Sequence, residues 1–231
     1  MIFSEDSTIS NKTILAEHVA EVCRAFEKEK GELHFQYKDD PLSILILTLL
    51  SHNTNDKNRD QAFKAMMKAF PTWKELHEAS PHDLAQVIRP AGLNNQKAAR
   101  IQQLLGYLKE SEGDYTADFL ENMSFEESVK RLGHLKGIGL KTLAVVMSFA
   151  LGVDVFPVDT HVHRLCKRLG FVPENYSAVK TFNTMRNLVP KGKSYQFHLH
   201  LINHGRQICH ARKPDCKACF VRDLCQHYLM N

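Results

Sequence analysis

No run of apolar residues in this sequence approaches the roughly 20 needed to cross a bilayer. The nearest, Leu42 to Leu50, is about half that length and reads as a buried helix. A membrane partner is therefore not expected. The first ten residues, MIFSEDSTIS, have neither a basic stretch nor an apolar core, so no secretory signal is expected either. Nowhere does apolar alternate with polar at the strand period; VDVFPVD is short and holds a proline. Internal repeats and low-complexity segments are also lacking. These absences leave an all-α protein expected in the cytoplasm, or in the nucleus of a eukaryote.

What is present is an ordinary globular composition, 231 residues with 43% hydrophobic and 24% charged. That length suits one large domain or two small ones. The net charge of +4 is unevenly spread. Residues 110–129 carry seven acidic side chains and no basic one, whereas residues 130–170 and 190–231 each hold seven Lys/Arg against two acids. Two basic segments in a balanced chain suit a polyanion-binding face, although solvated lysines are the commoner explanation.

The apolar spacing predicts helices over 13–28, 42–50, 56–70, 81–88, 95–110, 124–133, 139–151, 160–169, 177–187 and 194–207. Asn55 or Asp56, and Ser80 before Pro81, are helix-start signals. The punctuation suggests two lobes: 42–152, ending at Gly152, and a discontinuous one formed by 1–41 with 153–231.

Three constellations carry chemistry. Cys209, Cys216, Cys219 and Cys225 follow the spacing C-x6-C-x2-C-x5-C within residues 209–225. Four thiols so close in a cytosolic chain suit a metal site rather than two disulfides. Zinc and an iron–sulfur cluster both accept four cysteines, and spacing alone does not separate them. Cys23 and Cys166 sit on apolar faces and are expected to be buried and inert. The second constellation is HLKGIGLKTLA, a turn with Gly137 and Gly139 followed by Lys141 at a helix start. It reads either as a tight turn before a solvated lysine or as a phosphate clamp beside a reactive amine. The third is Asp159 in PVDTH, which has the form of an N-cap. It could equally fold back toward Lys141 as a working carboxylate.

Taken together, LKGIGLKT, VDTHVHR and HGRQICHARKPDCKACFVRDLC resemble the endonuclease III branch of the helix-hairpin-helix DNA glycosylases, along nearly the whole chain. FPVDT and GLKT are also similar to the plant 5-methylcytosine glycosylases. The resemblance implies a helical barrel domain (42–152) and a cluster domain (1–41 with 153–231), with duplex DNA in the cleft between them. It implies that the four cysteines hold a [4Fe-4S] cluster, with Arg212 and Lys213 of that loop on DNA. Lys141 matches the family's nucleophile and Asp159 its catalytic carboxylate. Leu93, in GLNNQKA, matches the residue that wedges into the duplex. Asn53 stands where a glutamine usually fills the gap left by the flipped nucleotide, and His52 beside it bears on substrate preference.

The activity implied is that of a bifunctional DNA glycosylase and AP lyase of base excision repair, a monomer acting on damaged bases or abasic sites in duplex DNA. It would remove damaged, oxidised pyrimidines through a lysine Schiff base and nick 3′ of the site by β-elimination. A helix terminus at Gly137 and Gly139 would grip phosphate and disfavour the ammonium form of Lys141. The alternatives are a monofunctional glycosylase for uracil or a mispaired or modified pyrimidine, and a non-catalytic iron–sulfur DNA-binding protein. Lys141 argues against the first, and the pair of Lys141 and Asp159 against the second. His204 and Arg206 read as packing or hydrogen bonding near the cysteine loop, and His161 and His163 either as helix-surface residues or, for one of them, as facing DNA.

Overall fold

The computed structural model describes residues 5–35 and 39–230. Residues 1–4, part of the N-terminal stretch read above for a signal, lie outside the described residues. Among the described residues there is no strand. No helix is long and apolar enough to cross a membrane. The chain divides into two compact units, Met1–Gln36 with Asp154–Asn231, and Tyr37–Val153.

The continuous unit is built on α2 (Pro41–Ser51). Asp40 starts it by accepting from the Leu42 and Ser43 amides at 3.1 and 3.0 Å, and Pro41 at the first turn needs no donor there. Leu42, Leu45, Ile46, Leu49 and Leu50 are all fully buried. Burying each contributes about 1.5–3 kcal/mol, an upper bound because the unfolded chain is not fully extended. α2 packs most extensively on α8 (Leu140–Phe149), whose Leu143, Ala144, Val146 and Met147 are equally inaccessible. Around this pair lie α3 (Asp56–Ala69), α4 (Trp73–Glu78), α5 (Pro81–Val87), α6 (Asn94–Glu112) and α7 (Phe125–Leu132). α4 is absent from the sequence expectation. Its signal was present in Thr72 and Glu75, which form a reciprocal capping box.

The discontinuous unit joins α1 (Glu5–Lys30) to α9 (Thr160–Arg168), α10 (Ala178–Met185), α11 (Ser194–Gln207) and the short α12 (Gln226–Leu229). α1 begins eight residues before the expected start at 13. Its Phe26 meets Phe197, His204 and Phe220 edge-on, with ring centroids 6.0, 5.2 and 4.9 Å apart. Such pairs add about 0.5–1.5 kcal/mol each beyond the area they bury. Cys23 and Cys166 are buried in this unit, and burial pushes the Cys23 thiol up to about 12.

Candidate functional site

Residues 133–139 connect α7 to α8, anchored by the buried side chains of Leu135 and Ile138. The two glycines of this turn have different reasons to be there. Gly137 has φ +90°, and a β-carbon on it would come within 2.9 Å of Leu49 Cδ2 and 3.1 Å of Arg100 Cδ. Gly139 has φ −105°, which any residue adopts, and a β-carbon there would meet nothing within 4 Å. The fold demands glycine at 137 alone; at 139 its lack of a side chain leaves the backbone open to an outside group. Gly139 also caps α8 without a side-chain hydrogen bond, so the first amides of that helix keep their donors.

Lys141 lies in the first turn of α8. Its side chain is exposed and has no hydrogen-bond or ion-pair partner among the described residues. Next to it, Thr142 Oγ1 donates to the Gly137 carbonyl at 2.9 Å and lies 3.5 Å from His52 Nε2. His52 ends α2 and is half-buried. Burial, then the charges of Lys141, Arg100 and Lys97, hold its imidazole down to about 4, so the ring is neutral at physiological pH. Arg100, packed beside Gly137, was not singled out from sequence, because nothing local marks its approach to a turn 37 residues away.

Among the described residues three non-glycine residues have a left-handed backbone: Asn53 (φ 54°), Leu93 (φ 46°) and Lys213 (φ 51°). All three are among the expected DNA-facing residues. Such conformations cost about 1–3 kcal/mol and collect at functional sites. Leu93 is 48% exposed, unusual for a large apolar side chain. Lys97, which sequence reading missed, is fully buried and donates to the Leu50 and Ala91 carbonyls at 2.7 Å each.

In the other unit, Asp159 follows the buried run Val155–Val158 and caps α9, its Oδ1 accepting from the Val162 amide at 2.8 Å. Among the described residues the second carboxylate oxygen has no partner. His198 steadies the approach, donating from Nδ1 to the Pro157 carbonyl at 2.9 Å. His161 accepts from Arg164 at 3.2 Å and His163 is bonded to Thr181 at 2.9 Å, which gives both a role within the fold.

Cys209, Cys216, Cys219 and Cys225 line one pocket enclosing about 280 Å³ of empty space, its open mouth included. Arg168 donates to Cys209 Sγ at 3.2 Å and to the His210 and Ala211 carbonyls, and its own carbonyl accepts from Cys225 Sγ. His204, buried between Phe26 and Phe220, brings Nε2 to 3.3 Å from Cys219 Sγ. Burial pushes the Cys219 thiol up to about 11, and the other three cysteines act on it in the same direction. Four thiols around one pocket, whose charged forms oppose one another, suit a cationic metal group that would take them as thiolates. Among the described residues, no three His, Cys, Asp or Glu side chains converge on a single metal-ion position. Arg212 and Lys213 are exposed on the same loop.

A glycine hairpin feeding an uncapped helix, with four cysteines lining one pocket elsewhere on a helical chain, defines the class of a helix-hairpin-helix protein. Residues 46–191 match the family described as "HhH-GPD superfamily base excision DNA repair protein". The chain is 32% identical over 215 residues to endonuclease III of Thermotoga maritima, covering 93% of each. It is 32% identical over 200 residues to endonuclease III of Rickettsia prowazekii, covering 87% of this chain and 89% of that one. A solved non-covalent endonuclease III–DNA complex superposes with a TM-score of 0.80 at 28% identity, over 93% of this chain and 97% of that one. The chain belongs to the HhH-GPD superfamily of base excision DNA repair proteins, and is a DNA glycosylase of the endonuclease III kind. Endonuclease III proteins carry a [4Fe-4S] cluster.

Proposed function

We propose that the chain is a bifunctional glycosylase and AP lyase that removes oxidised pyrimidines from duplex DNA. The observation that carries this reading is Lys141: an exposed amine without a partner among the described residues, in the first turn of a helix whose leading amides are open. A base inside the stack is out of reach, so the nucleotide must be extruded at a cost of a few kcal/mol, least for a damaged pair. Leu93 wedges into the gap and Asn53 fills it, with His52 beside the extruded nucleotide. Gly137, Gly139, Arg212 and Lys213 hold the distorted backbone, supplying affinity without sequence readout.

Neutral Lys141 attacks C1′; the C1′–N bond forms as the bond to the base breaks, and the base leaves with its electron pair. Asp159 stabilises the positive charge that develops on the sugar. Opening of the sugar ring gives a Schiff base on Lys141. Loss of a C2′ proton then expels the 3′ phosphate and nicks the strand. Cys209, Cys216, Cys219 and Cys225 would hold a [4Fe-4S] cluster, which would supply a structural anchor for the loop bearing Arg212 and Lys213, since neither chemical step transfers electrons. Arg168 contacts the sulfurs of Cys209 and Cys225, and His204 that of Cys219.

Borohydride reduction on abasic-site duplex tests the lysine. The wild type is expected to crosslink and Lys141→Gln to give no adduct, with an unchanged melting temperature because the side chain touches nothing in the fold. An uncrosslinked wild type sinks the lyase assignment. A broad violet absorption band reports the cluster, and a colourless zinc protein would overturn that part.

A further inference from the structure

Thr142 has one hydroxyl proton to give, and its Oγ1 donates to the Gly137 carbonyl at 2.9 Å. Toward His52 Nε2, at the long distance of 3.5 Å, the same oxygen then offers a lone pair, which favours the tautomer with the proton on Nε2. Nδ1 of that ring is left as an acceptor, and no partner occupies it among the described residues. The ring does not become a cation in the working range. Burial, then Lys141 of α8 and Arg100 and Lys97 of α6, all oppose its protonation. The imidazole, uncharged and with Nδ1 free to accept, therefore lies within electrostatic reach of the amine that attacks C1′. The base is bonded to that same carbon, so it must pass close to what surrounds Lys141.

We propose that His52 Nδ1 reads the extruded base by accepting a hydrogen bond from its ring N–H, so that the enzyme favours uracil- and thymine-type pyrimidines over cytosine-type ones. This rests on the reading of Lys141 as the nucleophile. A uracil-type ring carries a proton on N3 between two carbonyls. A cytosine-type ring presents a bare lone pair at N3. Facing Nδ1, the first makes a hydrogen bond and the second sets two acceptors against each other. To accept cytosine the imidazole would have to move its proton to Nδ1 and give up Thr142. Burial around the ring strengthens the penalty for an unmatched acceptor.

The test is single-turnover excision from two duplexes, one with 5-hydroxyuracil and one with 5-hydroxycytosine, both opposite a tetrahydrofuran abasic analogue so that neither is base-paired and extrusion costs the two alike. The lesions share their oxidised edge and differ at N3 and C4. The wild type is expected to favour 5-hydroxyuracil by roughly tenfold, the size of one hydrogen bond gained against one opposed. His52→Ala is expected to bring the ratio to within about twofold of unity. Thr142→Val, which frees the imidazole to change tautomer, should lower the ratio in the same direction while the melting temperature reports folding. A merely structural role would slow both lesions alike and leave the ratio unmoved. A wild-type ratio near one, or a ratio that survives His52→Ala, overturns the assignment. Borohydride trapping on an abasic duplex, which has no base for His52 to touch, separates the two levels. Trapping with a ratio of one overturns the His52 inference alone, and absence of trapping overturns the reading beneath it.

Discussion

The Lys97 ammonium lies 2.7 Å from the Leu50 carbonyl oxygen, tying the start of α6 to the end of α2. A second bond of 2.7 Å reaches Ala91. Asn53 lies three residues past Leu50 and Leu93 two past Ala91, and both have a left-handed backbone. One buried amine thus steadies the chain just ahead of the two residues expected to enter the duplex.

Replacing Lys97 by Met removes both bonds and leaves two buried carbonyls unpaired, at a cost of roughly 2–4 kcal/mol in denaturant unfolding. The pH dependence has a definite sign. Burial, then Arg100, lowers the Lys97 pKa from 10.5 to about 8. Between those values the unfolded chain binds more protons than the folded one, so stability rises with pH there. The advantage of the wild type over Lys97→Met should therefore be flat below pH 8 and grow from about 8 to 10.5. An advantage that shrinks across that window would falsify the buried-cation account.

The two glycines of the hairpin should separate in their effects. Gly137→Ala meets positive φ and two close neighbours, and should cost about 1–3 kcal/mol of stability. Gly139→Ala meets neither, so its stability should stay within about 1 kcal/mol of wild type. Its duplex affinity should fall severalfold, because a methyl group then stands where a phosphate approaches the α8 amides. Thermal melting and a binding isotherm at fixed salt measure both. Equal affinity in Gly139→Ala and wild type would remove this amide from the interface.

How much of this was legible in the chain depended on the range of the forces involved. Asn55 and Ser80 announce their helices because a cap is a contact over three residues, visible in any short window. Glu75 sits three positions after Thr72 in the same way. α4 nonetheless escaped, since a six-residue helix burying only Leu76 has no apolar period to read. The cysteine spacing and the Gly-x-Gly turn are also local, and both stand out. Lys97 was invisible, because lysine is ordinarily solvated and its two acceptors come from other elements. The left-handed backbone of Leu93 follows from the tight turn through Gly92, which no propensity of leucine announces. His52 meets Thr142 across 90 residues, and only the packing of α2 on α8 brings them together.

The neutrality of His52 can be read directly. An imidazole proton resonance assigned to His52 should titrate with a midpoint near 4, well below the ordinary 6.5. The unfolded chain then binds more protons than the folded one between those values. The stability this ring contributes is whole above pH 6.5 and is lost as the pH falls toward 4. Base excision should accordingly show no inflection near pH 6.5 that disappears in His52→Gln. A titration midpoint close to 6.5 would mean that the surrounding cations do not act on this ring.

Asp159 offers the cleanest separation of structure from chemistry, because its two oxygens have different situations. Oδ1 caps α9 through the Val162 amide, and the other oxygen has no partner among the described residues. Asparagine is as good a cap as aspartate, so Asp159→Asn should keep stability within about 0.5 kcal/mol. Alanine removes the cap and should cost about 1 kcal/mol. For base excision the two substitutions should be alike, since both lack the negative charge that faces the developing cation on the sugar. A loss of about a hundredfold or more in the single-turnover rate is expected of each, the scale of one electrostatic group in a transition state. If Asp159→Asn excises at the wild-type rate, the carboxylate is a helix cap and nothing more.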